Sequence, residues 1–280
     1  MAIQYDYHMH SSFSTDSDAP AQTMVGKAME AGLKGICFTD HMDLDYPPFY
    51  FPDDPSAFTA DPELIHREIS RLRDVCGAAS GDFHIGFGLE FGMQPHLAGR
   101  FEELAARWPL DMVIASQHLV GGLDPYYPEV WEGKTHEELI RSYYEEMLSN
   151  LKTMTQWDTL AHLDYIIRYI PDRGSFLFDS YEAFPDLIDE ILLYVIRSGK
   201  CLEVNTAGYK YGLGQPNPAP SILRRYRELG GMNITIGSDA HAPQHIAIAF
   251  DTVRELLLSM GYERYTVFKN REPIELPLAE

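Results

Sequence analysis

Short, nearly continuous apolar runs alternate with longer helical stretches along this chain, and the apolar runs end on His, Asp, Glu or Asn. The runs are "YDYHMH", "LKGICFTD", "FHIGFGLEF", "DMVIASQH", "WDTLAHLD", "KCLEVN" and "MNITIGSDA". An apolar run of this length without polar alternation is the mark of a strand buried on both faces, and such strands belong to parallel sheets. Helical spacing predicts helices between them over about residues 21–31, 62–79, 95–108, 136–155, 181–198, 220–229 and 244–260. "YTVF" near the C-terminus predicts one further short strand. About seven β–loop–α units in series close most simply into an α/β barrel, one domain over residues 1–280. An open doubly wound sheet is the alternative, but its Gly-rich turn after the first strand is absent.

In a barrel the C-terminal ends of all strands meet on one face, where barrel active sites lie. His8 and His10 close the first run, Asp40 and His41 the second, Glu90 the third and His118 the fourth. His162 and Asp164 close the fifth, Glu203 and Asn205 the sixth, and Asp239 and His241 the seventh. Residues two apart on a strand point to the same side, so His8 and His10 project together, as do Asp239 and His241. Neutral imidazoles with carboxylates ligate zinc, manganese or iron. One His-x-His pair is a weak signal. Six of the eleven histidines falling at strand ends predicts a metal site. His66, His84, His96, His136 and His245 fall on helices, loops or a strand start, where surface or capping roles are expected.

The formal net charge of −20 argues against nucleic acid and anionic membranes as partners. It leaves room for a small anionic substrate, because bound cations reverse the field inside one pocket. Cys37, Cys76 and Cys201 form no Cys-x-x-Cys pair, and three cysteines make a poor disulfide framework. No basic region followed by an apolar run opens the chain, and no segment has the length of a membrane span, so a cytoplasmic location is expected. Two long loops, at about residues 42–62 and after His118, are rich in Pro, Asp and aromatic residues. Loops of that length are often functional, and their aromatics are candidates for a pocket wall.

In order along the chain, "HMHSSFSTD", "TDH", "GLE", "SQH", "AHLD" and "GSDAH" resemble the polymerase and histidinol phosphatase (PHP) family. "YYPEVWEGKTHEELIRSYYEEM", "LEVNTAGY" and "PAPSILRRYRELG" look like its histidinol-phosphatase branch. The resemblance implies a distorted (β/α)7 barrel, similar to a TIM barrel, with three divalent metal ions. His8, His10, Glu90 and Asp239 would hold the first ion. Glu90 would bridge to a second, held by His118 and His162. Asp16, His41 and His241 would hold the third, with Asp18 as the rival of Asp16. The ions would outweigh the carboxylates of Asp16, Glu90 and Asp239, leaving a positive pocket for a hydroxide and a phosphate dianion. A water shared between two ions would become the nucleophile, with Glu90, Asp239 and His241 at the reacting centre. Asp239 and His241 are also the candidates to protonate the leaving alcohol.

Arg168, His41 and Lys210 are the expected substrate contacts. Arg168 has the geometry to fork two phosphate oxygens. Lys210 stands where this branch commonly carries arginine and offers only a point charge. Asp40 and Asp164 are placed to orient neighbouring histidines or to cap strand ends. The implied activity is hydrolysis of L-histidinol phosphate in histidine biosynthesis. Another small phosphate ester, a C–N bond hydrolysed as in amidohydrolases, and a non-catalytic metal-binding barrel are the alternatives. The amidohydrolase reading calls for a strand-end lysine bridging the metals, and no lysine closes a strand here.

Overall fold

The computed structural model describes residues 3–80, 83–171 and 178–279. Its first strand is β1 (Tyr5–Met9). β2 (Gly35–Phe38) and β3 (His41–Met42) both pair with β4 (His84–Gly92), so together they form one stave broken at Thr39 and Asp40. β5 (Met112–Ser116), β6 (Thr159–Leu160), β7 (Cys201–Asn205) and β8 (Ile234–Gly237) complete the row. Every pairing in this sheet is parallel, in the order β1-β2-β4-β5-β6-β7-β8 with β3 beside β4.

Closure comes at the C-terminal rim. The Asp239 amide donates to the carbonyl of His8 at 2.8 Å, and the His10 amide donates to the carbonyl of Ala240 at 2.9 Å. Gly237 makes this approach possible, because a Cβ there would lie 2.3 Å from the His8 Cβ. The result is a distorted seven-stave barrel, as the family resemblance implies.

Helices α1 (Ala21–Glu30), α2 (Pro62–Ser80), α3 (Ala98–Arg107), α4 (His136–Thr153), α5 (Ser180–Ala183), α6 (Pro185–Arg197), α7 (Ala207–Lys210), α8 (Pro220–Glu228) and α9 (Phe250–Ser259) separate and follow the strands. Thr135 and Glu138 form a reciprocal capping box that starts α4. Two expected helices are shorter than their spacing suggests. The one expected over about 181–198 divides at Pro185, whose fixed φ and missing N–H suit the first position of a new helix. The one expected over about 244–260 begins only at Phe250. Ahead of it, Ala247 and Ala249 have positive φ, and the Ala247 amide is held by the Asp6 carboxylate at 3.0 Å. Among the described residues, no helix is long and apolar enough to cross a membrane.

The N-terminal end of the barrel is covered by an antiparallel hairpin, β9 (Arg264–Lys269) and β10 (Glu272–Pro277). "YTVF" reads as a strand in the sequence; β10 does not, because only Ile274 and Leu276 alternate, between two prolines, and the strand is mostly exposed. Asn270 and Arg271 both adopt positive φ, as a tight hairpin turn requires. The buried Asp111 carboxylate, just before β5, fastens that turn. It accepts from the Asn270 amide at 2.9 Å, the Phe87 amide at 2.9 Å and Arg73 Nη2 at 2.7 Å. Arg271 Nε in turn donates to Asp158.

Asp111→Ala would strand two backbone donors and a guanidinium at once. Its expected cost is about 3 kcal/mol of unfolding free energy. A denaturant titration checks this; a loss under about 1 kcal/mol would show that the apolar face of β9 alone seats the hairpin.

Candidate metal centre

Glu90 lies inside the barrel at the point where the staves' side chains converge. Register places it there: on adjacent strands Glu90 pairs with His41 on one side and with Ile114 on the other. Its Oε1 is 3.2 Å from His118 Nε2 and 2.9 Å from His162 Nε2. Its Oε2 is 3.4 Å from both His8 Nε2 and His10 Nε2, and 3.0 Å from His41 Nδ1. Asp239 Oδ1 faces the same space, 3.7 Å from His8 Nε2, 3.4 Å from His10 Nε2 and 3.5 Å from His241 Nδ1. Asp16 Oδ2 stands at the outer edge, 3.0 Å from His241 Nε2 and 3.6 Å from His41 Nε2.

The outward-facing nitrogens are anchored. His8 Nδ1 is 2.6 Å from Glu203 Oε1, and His118 Nδ1 is 2.6 Å from Asp43 Oδ1. His241 Nδ1 is 3.0 Å from the Asp239 carbonyl. Ser14 Oγ donates to Asp40 at 2.8 Å, which spends its one proton, so His10 Nδ1 donates to Ser14 at 3.0 Å. In each case a proton fixed on Nδ1 leaves the Nε2 lone pair aimed at the centre. This is how imidazoles that bind metal are usually oriented.

The inner nitrogens are left unpaired. His8 Nε2, His10 Nε2, His41 Nδ1, Glu90 Oε2 and His241 Nε2 are all buried without a hydrogen-bond partner. Orphaned buried polar atoms are costly and rare, and here they cluster in one place. Ligand atoms of four overlapping triads lie within 4.8 Å of one another: His8, His10 and Asp239; His8, Glu90 and His162; His41, Glu90 and His118; His10, His41 and His241. Imidazole nitrogens and carboxylate oxygens at this density fit several divalent cations.

Charge in the metal-free cluster is divided. Burial opposes a charge on His8, but Glu203, Glu90 and Asp239 overcome it and raise its pKa well above the ordinary value. Asp16 and Glu90 do the same for His41 against burial. Burial is likewise outweighed at His118, pushed up to about 10 by Asp43 and Glu90. His10, buried beside His241 and His41, is lowered to about 3, and burial lowers His162. Despite burial, the facing imidazoles hold Glu90 and Asp239 well below the usual carboxylate range.

The centre forms one end of a cavity of about 400 Å³, with Tyr46, Phe51, Phe58, Tyr127, Tyr165 and Tyr169 in its walls. The long loops after His41 and His118 supply most of these rings, as the sequence suggests; Trp131 instead turns away to donate to the Pro125 carbonyl at 2.9 Å. Arg168 also lines the cavity. Its buried guanidinium lies 3.4 Å from Asp239 Oδ2, with Tyr165 and Tyr211 on its faces at 5.0 and 4.9 Å.

The PHP domain model matches residues 6–207. This chain belongs to the PHP family. A probable histidinol-phosphatase of Clostridium acetobutylicum is 31% identical over 88% of this chain and 89% of its own length. The histidinol-phosphatase of Lactococcus lactis is 29% identical over 96% of this chain and 98% of its own. A crystal structure of histidinol phosphate phosphatase from Lactococcus lactis, complexed with zinc, L-histidinol and phosphate, superposes with a TM-score of 0.84 at 27% identity, covering 97% of this chain and 99% of that one.

The structure therefore brings His8, His10, Asp16, His41, Glu90, His118, His162, Asp239 and His241 into one PHP-type cluster. Asp18 is exposed and lies outside the cavity lining, whereas Asp16 faces two imidazoles. Lys210, at the end of α7, lies outside that lining too, with Nζ 4.8 Å over the Tyr211 ring. Asp40 reaches His10 only through Ser14. Asp164 orients no histidine: it accepts from Asn217 Nδ2 at 2.6 Å and the Ala219 amide at 2.8 Å, and Asn217 Oδ1 in turn holds Arg168 Nε at 3.0 Å.

Asp43 was not legible as a site residue. It contacts both His118 and His41, and fits only because position 92 is glycine, where a Cβ would lie 1.8 Å from its Oδ1. The available signal was the spacing: two residues beyond His41, an extended chain presents its side chain on the same face. Glu203 reads in the sequence as a strand-end carboxylate, and its pairing with His8 is visible only in the fold.

Cations entering this cluster must displace the protons held by His8, His41 and His118. The expected consequence is proton release on metal binding at pH 7, and an apparent affinity that rises with pH up to about 10, where His118 loses its proton. Calorimetric titration of metal-free protein in buffers of different ionisation enthalpy measures the release. Binding without release would show that these imidazoles are already neutral.

Proposed function

We propose that this chain is a metal-dependent phosphomonoesterase that hydrolyses L-histidinol phosphate to L-histidinol and phosphate. One observation carries the reading. A cluster of unpaired imidazole and carboxylate atoms lies at one end of an aromatic-walled cavity that also holds a buried guanidinium. The Lactococcus lactis structure, which matches over nearly the whole chain, holds zinc, L-histidinol and phosphate. A biosynthetic role of this kind accords with a cytoplasmic location.

His8, His10, Glu90 and Asp239 would hold one divalent ion; Glu90, His118 and His162 a second; Asp16, His41 and His241 a third. Zinc, manganese and iron all accept these donors. When bound, such ions lower the pKa of a shared water and offset negative charge on a phosphoryl group. Asp43 and Glu203 add negative charge against the imidazoles, and Arg168 returns a positive charge on the cavity side.

The chain's own residues do the positioning. Arg168 would fork phosphate oxygens. Its planar group is held in place by Asn217 at 3.0 Å, Asn205 at 3.3 Å and two tyrosine faces. Asp239 and His241, 3.5 Å apart, would serve as ligands beside the reacting centre and keep no proton to donate, so the leaving alcohol would take its proton from water. Tyr46, Phe58 and Tyr127 would close off water around the ester. Among the described residues no lysine lines the cavity, which favours ester hydrolysis over the lysine-bridged amidohydrolase alternative.

Phosphate release from L-histidinol phosphate should be fast in protein loaded with Mn²⁺, Zn²⁺ or Fe²⁺ and absent after chelation. Glu90→Ala should lose at least about 10³-fold in kcat/KM, since it removes the carboxylate common to two ion sites. A comparison with sugar and nucleotide monophosphates identifies the substrate. Turnover of those alone would discard histidinol phosphate, and silence on every ester with metals bound would overturn the phosphatase reading.

A further inference from the structure

The cavity wall holds one carboxylate that the reaction leaves unused. Asp124 lies on the loop after His118 and is 8% exposed. Its Oδ1 accepts from the Tyr126 amide at 2.8 Å and its Oδ2 from Tyr46 Oη at 2.6 Å. These two bonds lock the carboxylate in place, and each oxygen keeps a further lone pair free. Among the described residues no Lys or Arg pairs with Asp124. A buried carboxylate that no Lys or Arg pairs is an expensive arrangement; His118 favours its charge only from a distance, and a cationic ligand can pair with it directly. Burial also raises its pKa, despite the hydrogen bonds of Tyr46 and Tyr126 and the charge of His118.

Its surroundings suit a cation. Tyr46, Tyr126, Tyr127, Tyr165 and Tyr169 line the same cavity. Tyr127 is stacked on Tyr50 with centroids 3.8 Å apart, and Tyr126 lies edge-on to Tyr169 at 5.7 Å. Stacked, interlocked rings present fixed faces, and tyrosine faces attract ammonium and imidazolium groups. The cavity wall thus holds two kinds of site: Arg168 and the metal-binding cluster suit an anion, and the tyrosine faces with a carboxylate that no Lys or Arg pairs suit positive charge.

We propose that Asp124 and the tyrosines around it recognise a cationic group on the leaving alcohol, so that the enzyme selects phosphate monoesters carrying an ammonium or imidazolium tail. This rests on the phosphomonoesterase reading above. It adds a specificity-determining residue, apart from the cluster that acts on phosphorus. A purely architectural role for Asp124, tying the loop of Tyr46 to that of Tyr126, makes a different forecast.

The test compares kcat/KM for L-histidinol phosphate and for phenyl phosphate, which has no cationic tail, in fully metallated enzyme. Wild type should prefer the cationic ester. Asp124→Asn keeps the shape and removes the charge, and should lower that preference at least about ten-fold, mainly through KM for the cationic ester. Asp124→Glu should restore part of it. Tyr46→Phe frees one carboxylate oxygen but leaves the charge and a ring face, and should lower the preference less than Asp124→Asn does.

Equal losses on both esters in Asp124→Asn, or a Tyr46→Phe that loses the preference as fully, would make the residue architectural and overturn the proposal. An unchanged preference in Asp124→Asn would overturn it as well. Should wild type reject histidinol phosphate but prefer phosphoethanolamine to ethyl phosphate, the substrate assignment fails, and the same ratio measured on that pair still tests Asp124. A wild type indifferent to tail charge on every pair overturns the proposal while leaving phosphatase activity intact.

Discussion

A single buried carboxylate organises this molecule. Glu90 faces five imidazoles, those of His8, His10, His41, His118 and His162, and none is more than 3.4 Å away. The five imidazoles come from four staves, on or within two residues of the ends of β1, β3, β5 and β6, so the contacts exist only if the barrel closes. Closure in turn depends on small features: Gly237 where β1 meets β8, the break at Thr39 and Asp40 that turns His41 inward, and Gly92 making room for Asp43. The site therefore cannot be assembled piecemeal, and its polar atoms remain partly unsatisfied in the metal-free chain. Two of its residues, His162 and Asp239, also sit at positive φ, a strain that persists only where the surrounding structure imposes it.

The cluster also reconciles an acidic protein with an anionic ester. The net charge of −20 is spread over the whole chain, while cations bound among neutral imidazoles reverse the field only locally. Arg168 completes that reversal on the cavity side. It stays charged because Asp239 and three tyrosines favour the cation strongly enough to outweigh its burial. Electrostatics of this kind is strengthened in apolar surroundings, and aromatic rings line the cavity beside the cluster.

Much of this was legible in the sequence because parallel strands buried on both faces leave an unusual trace. Apolar runs ending on His, Asp or Glu gave the staves, their direction and the face carrying the chemistry. What escaped was decided by contacts distant along the chain. β10 is a mostly exposed strand whose apolar alternation is confined to Ile274 and Leu276 between two prolines, and its turn is fastened by Asp111. The start of α9 is delayed because Asp6, over two hundred residues earlier, claims the Ala247 amide. Asp164 resembles a histidine partner by position, yet the loop carrying Asn217 and Ala219 reaches it first. Asp43 and Glu203 are ordinary acidic residues until folding sets them against His118 and His8.

The central claim is that Glu90 joins two cation sites while a third lies beside it. Crystals of protein loaded with a single metal, measured at that metal's absorption edge, test it most directly. The account predicts three anomalous peaks per chain: one among His8, His10, Glu90 and Asp239, one among Glu90, His118 and His162, and one among Asp16, His41 and His241. A lone peak, or peaks that leave Glu90 uncoordinated, would contradict it.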